Sequence, residues 1–573
     1  MFKWLAKQFN KDNDDPESLA SEKGLENFIA AVPVTVPART VEALGEPFES
    51  ARSLGFAPDP LRRALKRLDE RAQEPVQAVR ERLFEDENGR DIADGAWLVL
   101  ARYFRNVHAG YDVWLEAVRS RSEPGELSDE ERGDAVLIAG RAMAALGRHK
   151  ALMRMRYRDV DPAYWDRLHA LAAWSSAFGG SRTLLELYPR SGYQSSIERE
   201  YLIALAYDAA PIGNLLPAQL VGLDVLLRRL ATHFQFADSY RDTAPFVIEP
   251  EREPGVRRSL KGLSARSGQR FFGVGGAYAQ LAALRKQAGR EVPDWMAHAH
   301  LDPASYRSLL DLLLQHWSSQ PPQRQHRRDR VEAEMLVSRG VGQVRRMIAA
   351  SEYAQAGGLL SYEDSAPYDH KLFGKIRFGS VEQQAAPQPA QGIEAAPVTP
   401  LETLQKFELE GDRQMTERWM LTDSSANGFG ALASAHGGWA RTGMLIGFRR
   451  LDSLDWNIAV IRRLSRSAEG KLSVGAQAIE GNALCARVRF GSGDAGNPWV
   501  AVAGTNDAFH DAILLRSEGR SHILLEPGIF AGPQECMLSF ERTWRRARLE
   551  RSLERGYDFE LVEFNLAAEA PVA

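Results

Sequence analysis

Cysteine is nearly absent: Cys485 and Cys536 are the two in 573 residues, and they show no metal-ligand spacing, so a disulfide framework and a cysteine metal centre are excluded. They read as buried small hydrophobes in a reducing compartment. No stretch approaches about 18 uninterrupted apolar residues, which excludes a membrane-spanning helix. Charge of neither sign predominates, since 72 Lys and Arg against 76 Asp and Glu leave a net charge of -4; no DNA or RNA partner is expected. The opening Met1 to Phe9 is basic and amphipathic but runs directly into polar Asn10 to Asp15, without the apolar segment of a secretion signal. It reads as a frayed or partner-docking end, with weak membrane-surface contact as the alternative. These absences together predict a cytoplasmic protein.

Catalytic and metal constellations are also missing. His436, His510 and His522 have no paired Ser or Cys nucleophile signature, so no enzyme is expected. Gly273-Val274-Gly275-Gly276 lacks both the Lys-Ser/Thr of a phosphate loop and a clear preceding strand, and reads as a loop before a helix. His298 and His300 with Asp302 lack a third strong ligand and read as a solvated turn. No fixed-length repeat supports a solenoid.

What is present has ordinary globular composition, 44% hydrophobic and 26% charged, in a chain long enough for about three to four domains. Residues 1–57 read as a polar, largely irregular leader that includes the proline-punctuated extended run Ala30 to Pro37. Residues 58–382 keep helical spacing. Ser128 with Glu131 and Ser195 with Glu198 read as capping boxes, and Asp161-Pro162 and Asp302-Pro303 as capped starts. Behind them, Ile197, Tyr201 and Leu205, then Leu220, Leu223, Leu227 and Leu230, then Tyr306, Leu310, Leu313 and Trp317 form one-sided core stripes. The basic run Arg324, His326, Arg327, Arg328, Arg330, Arg339, Arg345 and Arg346 reads as a solvated helix start, with an acidic partner or a phosphate as the other use. Residues 383–400, rich in Ala, Pro and Gln, form the clearest linker and are expected to be the main domain boundary.

Beyond the linker the pattern changes to short alternating strands. Trp419 to Gly430 has the shape of strand, polar turn, strand. In its Asp-x-Ser-x-x-Gly core, Asp423, Ser425 and Gly428 combine acceptor oxygens, a hydroxyl and a glycine free to take positive φ where the chain reverses. Met444 to Phe448, Trp456 to Val460, a turn at Ala468 to Gly470 and Leu472 to Gly475 continue an antiparallel meander. Arg487 to Phe490, Trp499 to Val502 and a hairpin from Ile513 to Leu525 suggest a second sheet or an extended barrel. Trp544 to Arg555 reads as a short helix or an edge strand.

The turn and the strand order resemble a PilZ domain, a small β-barrel family that binds cyclic di-GMP with an Arg-x-x-x-Arg segment leading into the barrel and an Asp/Asn-x-Ser-x-x-Gly turn. The nearest counterpart of the first motif is taken as Arg413 and Arg418, one residue further apart and close to the turn. The resemblance implies that Asp423 and Ser425 contact base and phosphate, that Gly428 lets the backbone turn, and that Arg413 and Arg418 supply charge. The alternative is that Asp423 and Ser425 cap their own turn. Arg158 to Trp165, Ser195 to Leu202, Leu312 to Trp317 and Glu554 to Phe559 further resemble large, mainly proteobacterial proteins that pair a helical region with a C-terminal PilZ-like domain.

The expected fold is therefore multidomain α + β: an all-α region at 58–382, a PilZ-like antiparallel barrel at 401–490 and a β-rich extension at 491–573. The function this implies is a signalling adaptor with the barrel as a cyclic di-GMP sensor and the helical region contacting a protein partner. A scaffold whose barrel binds no ligand is the alternative.

Overall fold

Helix-start chemistry lays out the first part of the chain. The computed structural model describes residues 19–53, 56–85, 91–120, 127–259, 268–321, 327–356, 359–362, 376–379, 399–402, 404, 416–433, 439–467, 470–490, 509–517, 520–541 and 543–567. These fall into two compact units, Met1–Gln323 and Arg324–Ala573.

In the first unit the helices are α1 (Glu22–Ala31), α2 (Pro37–Glu49), α3 (Pro58–Arg80), α4 (Asp94–Ser120), α5 (Asp129–Met155), α6 (Ala163–Phe178), α7 (Ile197–Asp208), α8 (Pro217–Leu230), α9 (Gly275–Gln287) and α10 (Pro303–Trp317). Ser128 and Glu131 form the expected capping box, and Asp302 caps α10 by accepting from Ser305 N at 2.8 Å. At α7 the cap is Ser196 and not Ser195, because the Ser195 hydroxyl is committed to Glu200 at 2.7 Å. The expected stripes on α7, α8 and α10 are all buried in one core. Among the described residues no helix is long and apolar enough to cross a membrane.

Two expectations change here. From residue 19 the leader is not irregular: Ser21 caps α1, and Leu25, Phe28, Val41, Leu44 and Phe48 of α1 and α2 enter the core. Nor is the unit purely helical. The pair β1 (Leu185–Glu186) and β2 (Gln194–Ser195) is joined by a four-stranded antiparallel sheet of β3 (Gln235–Ala237), β4 (Phe246–Glu249), β5 (Glu253–Arg258) and β6 (Arg270–Gly273), in the order β3-β6-β4-β5. A strand therefore does precede the glycine-rich loop. Its amides of Val274 and Gly275 both donate to Thr243 O at 3.0 Å, which leaves neither for a phosphate.

Between α4 and α5, His108 and His149 face each other with ring centres 6.0 Å apart, and His108 Nδ1 is buried with no hydrogen-bond partner. Burial, with Arg105 and Arg167 nearby, pushes His108 down to about 3 and His149 down to about 4. An unfolded histidine titrates near 6.5, so below about pH 6.5 the unfolded chain takes up protons that the folded one refuses. Stability is thus expected to hold above about pH 6.5 and to fall toward about pH 4. Urea titrations above and below that range, on the full chain and on His108→Leu, should show the variant losing less stability on acidification.

The second unit contains β7 (Asp329–Arg339), α11 (Gly340–Gln355), the hairpin β8 (Leu359–Tyr362) and β9 (Ile376–Gly379), then β10 (Glu417–Ser425), β11 (Gly428–Ala433), β12 (Leu445–Arg450), β13 (Asn457–Arg466), β14 (Leu472–Ala478), β15 (Asn482–Arg489), β16 (Phe509–Ser517), β17 (Arg520–Leu525), β18 (Gln534–Phe540), β19 (Thr543–Arg555) and β20 (Glu560–Leu566). They make two closed six-stranded barrels, β10-β11-β14-β13-β12-β7 and β15-β16-β17-β20-β19-β18. The expected α + β architecture is the one observed, and the C-terminal extension joins β15 in a second closed barrel. β19, read as a short helix or an edge, lies between β18 and β20 inside that closed barrel. Trp499 to Val502 and His436 lie outside the described residues.

α11 packs against the outside of both barrels. Leu445, Ile458 and Val460 of the first and Ile513, Leu515 and Leu524 of the second join Val344, Met347 and Ile348 in one cluster, while their neighbours Ala512, Leu514, Ile523 and Leu525 fill the second barrel's interior. Strands apolar on both faces lose the polar alternation of a half-exposed strand, which is why Ile458 to Ile461 and Ile513 to Leu515 are continuous apolar runs. Buried Arg345 donates to Ala486 O at 2.8 Å and pairs with Asp511 at 3.3 Å, and Glu352 accepts from Cys485 N at 2.9 Å. The barrels also meet directly, through Arg462 and Glu554 (2.5 and 2.8 Å) and through Leu445 N donating to Asp558 at 2.8 Å.

The main boundary expected at 383–400 is not where the units divide, and residues 383–398 lie outside the described residues. The division falls at Gln323/Arg324 because residues 329–339, read as the start of a helix, are a barrel strand. Val331, Ala333, Met335 and Val337 alternate with polar residues at its start, the two-residue period of a strand. The next boundary is at 479–481, since β15 belongs to the second barrel. A fragment beginning at residue 401 lacks β7 and is expected not to form a cooperatively folded first barrel, whereas one beginning at 324 is. Near-ultraviolet dichroism of Trp419 and Trp439 and urea unfolding of the two fragments would decide this.

Candidate functional site

The polar turn is built by strand geometry. β10 and β11 pair from Met420 opposite Leu432 to Ser425 opposite Gly428, leaving Ala426 and Asn427 as the connection. A bulge between Leu421 and Asp423 interrupts the register toward both β11 and β7. Such bulges bend a strand and re-aim its side chains. Here the Asp423 carboxylate is brought over Gly430, where an added Cβ would stand 2.4 Å from Oδ2. Ser425 Oγ donates to Gly428 O at 3.0 Å and holds the turn closed.

Gly428 is required for a different reason from the one expected. Its φ is not positive; the position is crowded, because a Cβ would come 2.3 Å from the Ala476 carbonyl oxygen on β14. Glycine allows close approach of two strands.

The charge beside the turn also differs from expectation. Arg418 lies five residues up β10, opposite Leu336, roughly 16 Å from Asp423 along the strand. It is exposed and pairs with Glu334 at 3.4 Å. Arg413 lies outside the described residues. The cation that meets the turn is Arg328, just before β7, whose Nη1 is 2.6 Å from Asp423 Oδ1 with both side chains about one-third exposed. Arg330 is the register partner of Asp423; its guanidinium is exposed and 3.2 Å from Glu332. Beside the turn, Phe429 and Phe448 pack with ring centres 4.6 Å apart; further up β10, next to Arg418, Trp419 stacks on Trp439.

The structure thus brings Asp423, Ser425 and Gly428 to one end of the first barrel, leaves Arg418 away from them, and adds Arg328 and Arg330. A signal for Arg328 was present: Arg324-Gln325-His326-Arg327-Arg328 has an arginine at positions one and five, directly before a strand. Reading that run as a helix hid it. Arg324 itself lies outside the described residues. No group of three or more His, Cys, Asp or Glu placed to hold a metal ion occurs among the described residues.

Fold and site define a two-unit chain, a helical unit followed by paired six-stranded barrels, with an exposed carboxylate, hydroxyl and guanidinium gathered at a tight turn. Residues 23–241, all in the helical unit, match the family model described as the N-terminal domain of the cyclic-di-GMP receptor FimW. No curated protein and no solved structure matches the chain.

The contact between Asp423 and Gly430 yields a specific expectation. Gly430→Ala should push the carboxylate off β11 and separate it from Arg328, while the barrel, held by five other strand pairings, stays folded. A crystal structure of the variant, or the loss of coupling between Arg328→Ala and Asp423→Ala in a double-mutant cycle built on it, would check this.

Proposed function

We propose that the chain is a cyclic di-GMP effector and that the dinucleotide binds at the Asp423 turn of the first barrel. The observation that carries this reading is the meeting of Arg328 with Asp423, Ser425 and Gly428 across two strands far apart in sequence. The likeness of residues 23–241 to a cyclic-di-GMP receptor's N-terminal domain supports it from the other unit, and so does the Arg-x-x-x-Arg spacing of Arg324 and Arg328 ahead of the barrel.

The chemistry fits. A guanine offers O6 and N7 to an arginine fork and an N2 amino group to a carboxylate, and two phosphates call for cations, a hydroxyl and turn amides. Arg328 and Arg330 supply the forks, Asp423 the acceptor and Ser425 the hydroxyl. Arg328 and Asp423 occupy each other in the structure. An exposed pair of this kind is worth only about 0–1 kcal/mol, so opening it costs the ligand little. The helical unit would carry the output by contacting a protein partner, in a cytoplasmic, non-enzymatic role. A switch of this kind requires the ligand to bind two arrangements with different affinity.

A second reading has its own support: the family match falls on the helical unit and not on the barrel. In that reading the barrel is a scaffold element and the Arg328–Asp423 pair simply closes its end.

Calorimetric titration of cyclic di-GMP into the full chain separates the two. Saturable heat is expected, with Arg328→Ala and Asp423→Ala each weakening binding at least about tenfold, the scale of one lost charge-assisted contact, and with Arg418→Ala unchanged. Absence of heat with a folded chain would leave the scaffold reading. Equal loss in all three variants would move the site toward Arg418.

A further inference from the structure

A cleft within the helical unit, between α3, α4, α5 and α8, has two arginines, Arg80 and Arg148, set among apolar side chains that include Phe84, Phe104, Leu152 and Leu220. It encloses about 70 Å³, enough for a few heavy atoms and far too small for a nucleotide.

Its one buried carboxylate, Asp224, is shared among Arg80, Arg148 and Arg228, and His298 and His300 complete the polar lining. Asp224 lines the cleft, but both its oxygens are held by Arg228, each at 3.2 Å. Glu81, the other acid there, is exposed and accepts from Gln77 at 3.2 Å. Neither Arg80 nor Arg148 forms an ion pair with a described carboxylate, and Arg148 Nε is buried with no hydrogen-bond partner. The Arg148 guanidinium instead stands 5.5 Å from the Phe104 ring centre and 5.8 Å from that of Tyr188. Burial, with Arg148 close by, pushes Arg80 down to about 10 against the opposing pull of Asp224. A half-buried cation pair whose one buried counter-charge, Asp224, is already hydrogen-bonded to Arg228 is costly, and an anion bound between Arg80 and Arg148 would lower the cost.

We propose that this cleft binds a small organic anion, its acidic group held by Arg80 and Arg148 and its short apolar body lodged against Phe84, Phe104 and Leu152. Head and tail are both required. An inorganic anion would leave the apolar wall unfilled, and an uncharged tail would leave the guanidiniums unpaired. This site is independent of the Asp423 turn, which lies in the other unit.

The test uses the full chain and three probes: butyrate, its uncharged analogue n-butanol, and inorganic phosphate, each titrated into the protein and followed by ligand-observed NMR. Butyrate is expected to bind saturably, with n-butanol at least about tenfold weaker because it carries no charge for the guanidiniums, and phosphate at least about tenfold weaker because it leaves the apolar wall unfilled. Arg148→Gln should bring butyrate down to the level of n-butanol, while Arg328→Ala should leave it unchanged. Equal binding of butyrate and n-butanol, or of butyrate and phosphate, would overturn the proposal, as would no saturable butyrate signal from the wild-type chain. The wild-type comparison stands even if Arg148→Gln does not fold. Loss of butyrate binding in Arg328→Ala alone would assign it to the barrel and overturn the cleft.

Discussion

Everything in the barrel unit depends on β7 pairing with β10 on one side and β12 on the other. This ladder closes the first barrel, brings Arg328 to Asp423, and delivers the chain directly into α11. It joins strands separated by the whole segment from Gly340 to Thr416. Closing a loop of about 80 residues costs ~4 kcal/mol of chain entropy. Met335, Val337 and Trp419, all fully buried by the closure, contribute roughly 1.5–3 kcal/mol each. Burial therefore covers the closure, and the insertion is tolerated because loop entropy grows only with the logarithm of length.

α11 is the second consequence. Because it starts where β7 ends, its position follows from the closed barrel, and it presents apolar residues to both barrels at once. Polar groups trapped in that layer are placed on backbone partners, Arg345 on Ala486 O and Ser351 on Leu454 O at 2.5 Å, while Glu352 at its exposed edge accepts from Cys485 N. Such partners keep a buried polar atom from costing the few kcal/mol of an unmade hydrogen bond. Partial desolvation at that edge holds the Glu352 carboxyl above its ordinary range, and burial pushes the Cys485 thiol up to about 11.

The helical unit was legible in the sequence because its signals are local. A capping box at Ser128, an Asp-Pro start at Asp302 and one-sided stripes on α7, α8 and α10 are each decided within a turn or two of helix. The strands β10 to β14 were legible for the same reason, each as a short run beside a turn, but their order was not: β11 pairs with β14, and β12 with β13 and β7, so the expected meander is broken between β11 and β12. What sequence missed was decided at long range. β7 is separated from its partners by α11, a hairpin and the linker, and a basic run before it made a helix start the simpler local reading. The Arg418 assignment followed from that error: with β7 unseen, the search for a cation stayed near the turn in sequence, whereas the structure brings one from nearly a hundred residues away. Gly428 was recognised as necessary but for a backbone angle, when the crowding by Ala476 that demands it comes from β14 and cannot be read from the turn.

These energies also bear on why a carboxylate and a guanidinium that neutralise each other can sit at the site proposed for the dinucleotide. The elements that position them are expensive to disturb: a closed ladder, a bulge over a glycine that has no room for a Cβ, and the buried Phe429 packed on Phe448. The pair itself is about one-third exposed and worth about 0–1 kcal/mol. A dinucleotide that offers Arg328 a base edge or a phosphate, and Asp423 an amino group, would replace that weak contact without moving the strands that carry it. The same ion pair buried in the barrel would cost several kcal/mol to break, and the end of the barrel would be locked. Exposure of the pair, on a frame that is rigid because it is buried, keeps the site both organised and open to exchange.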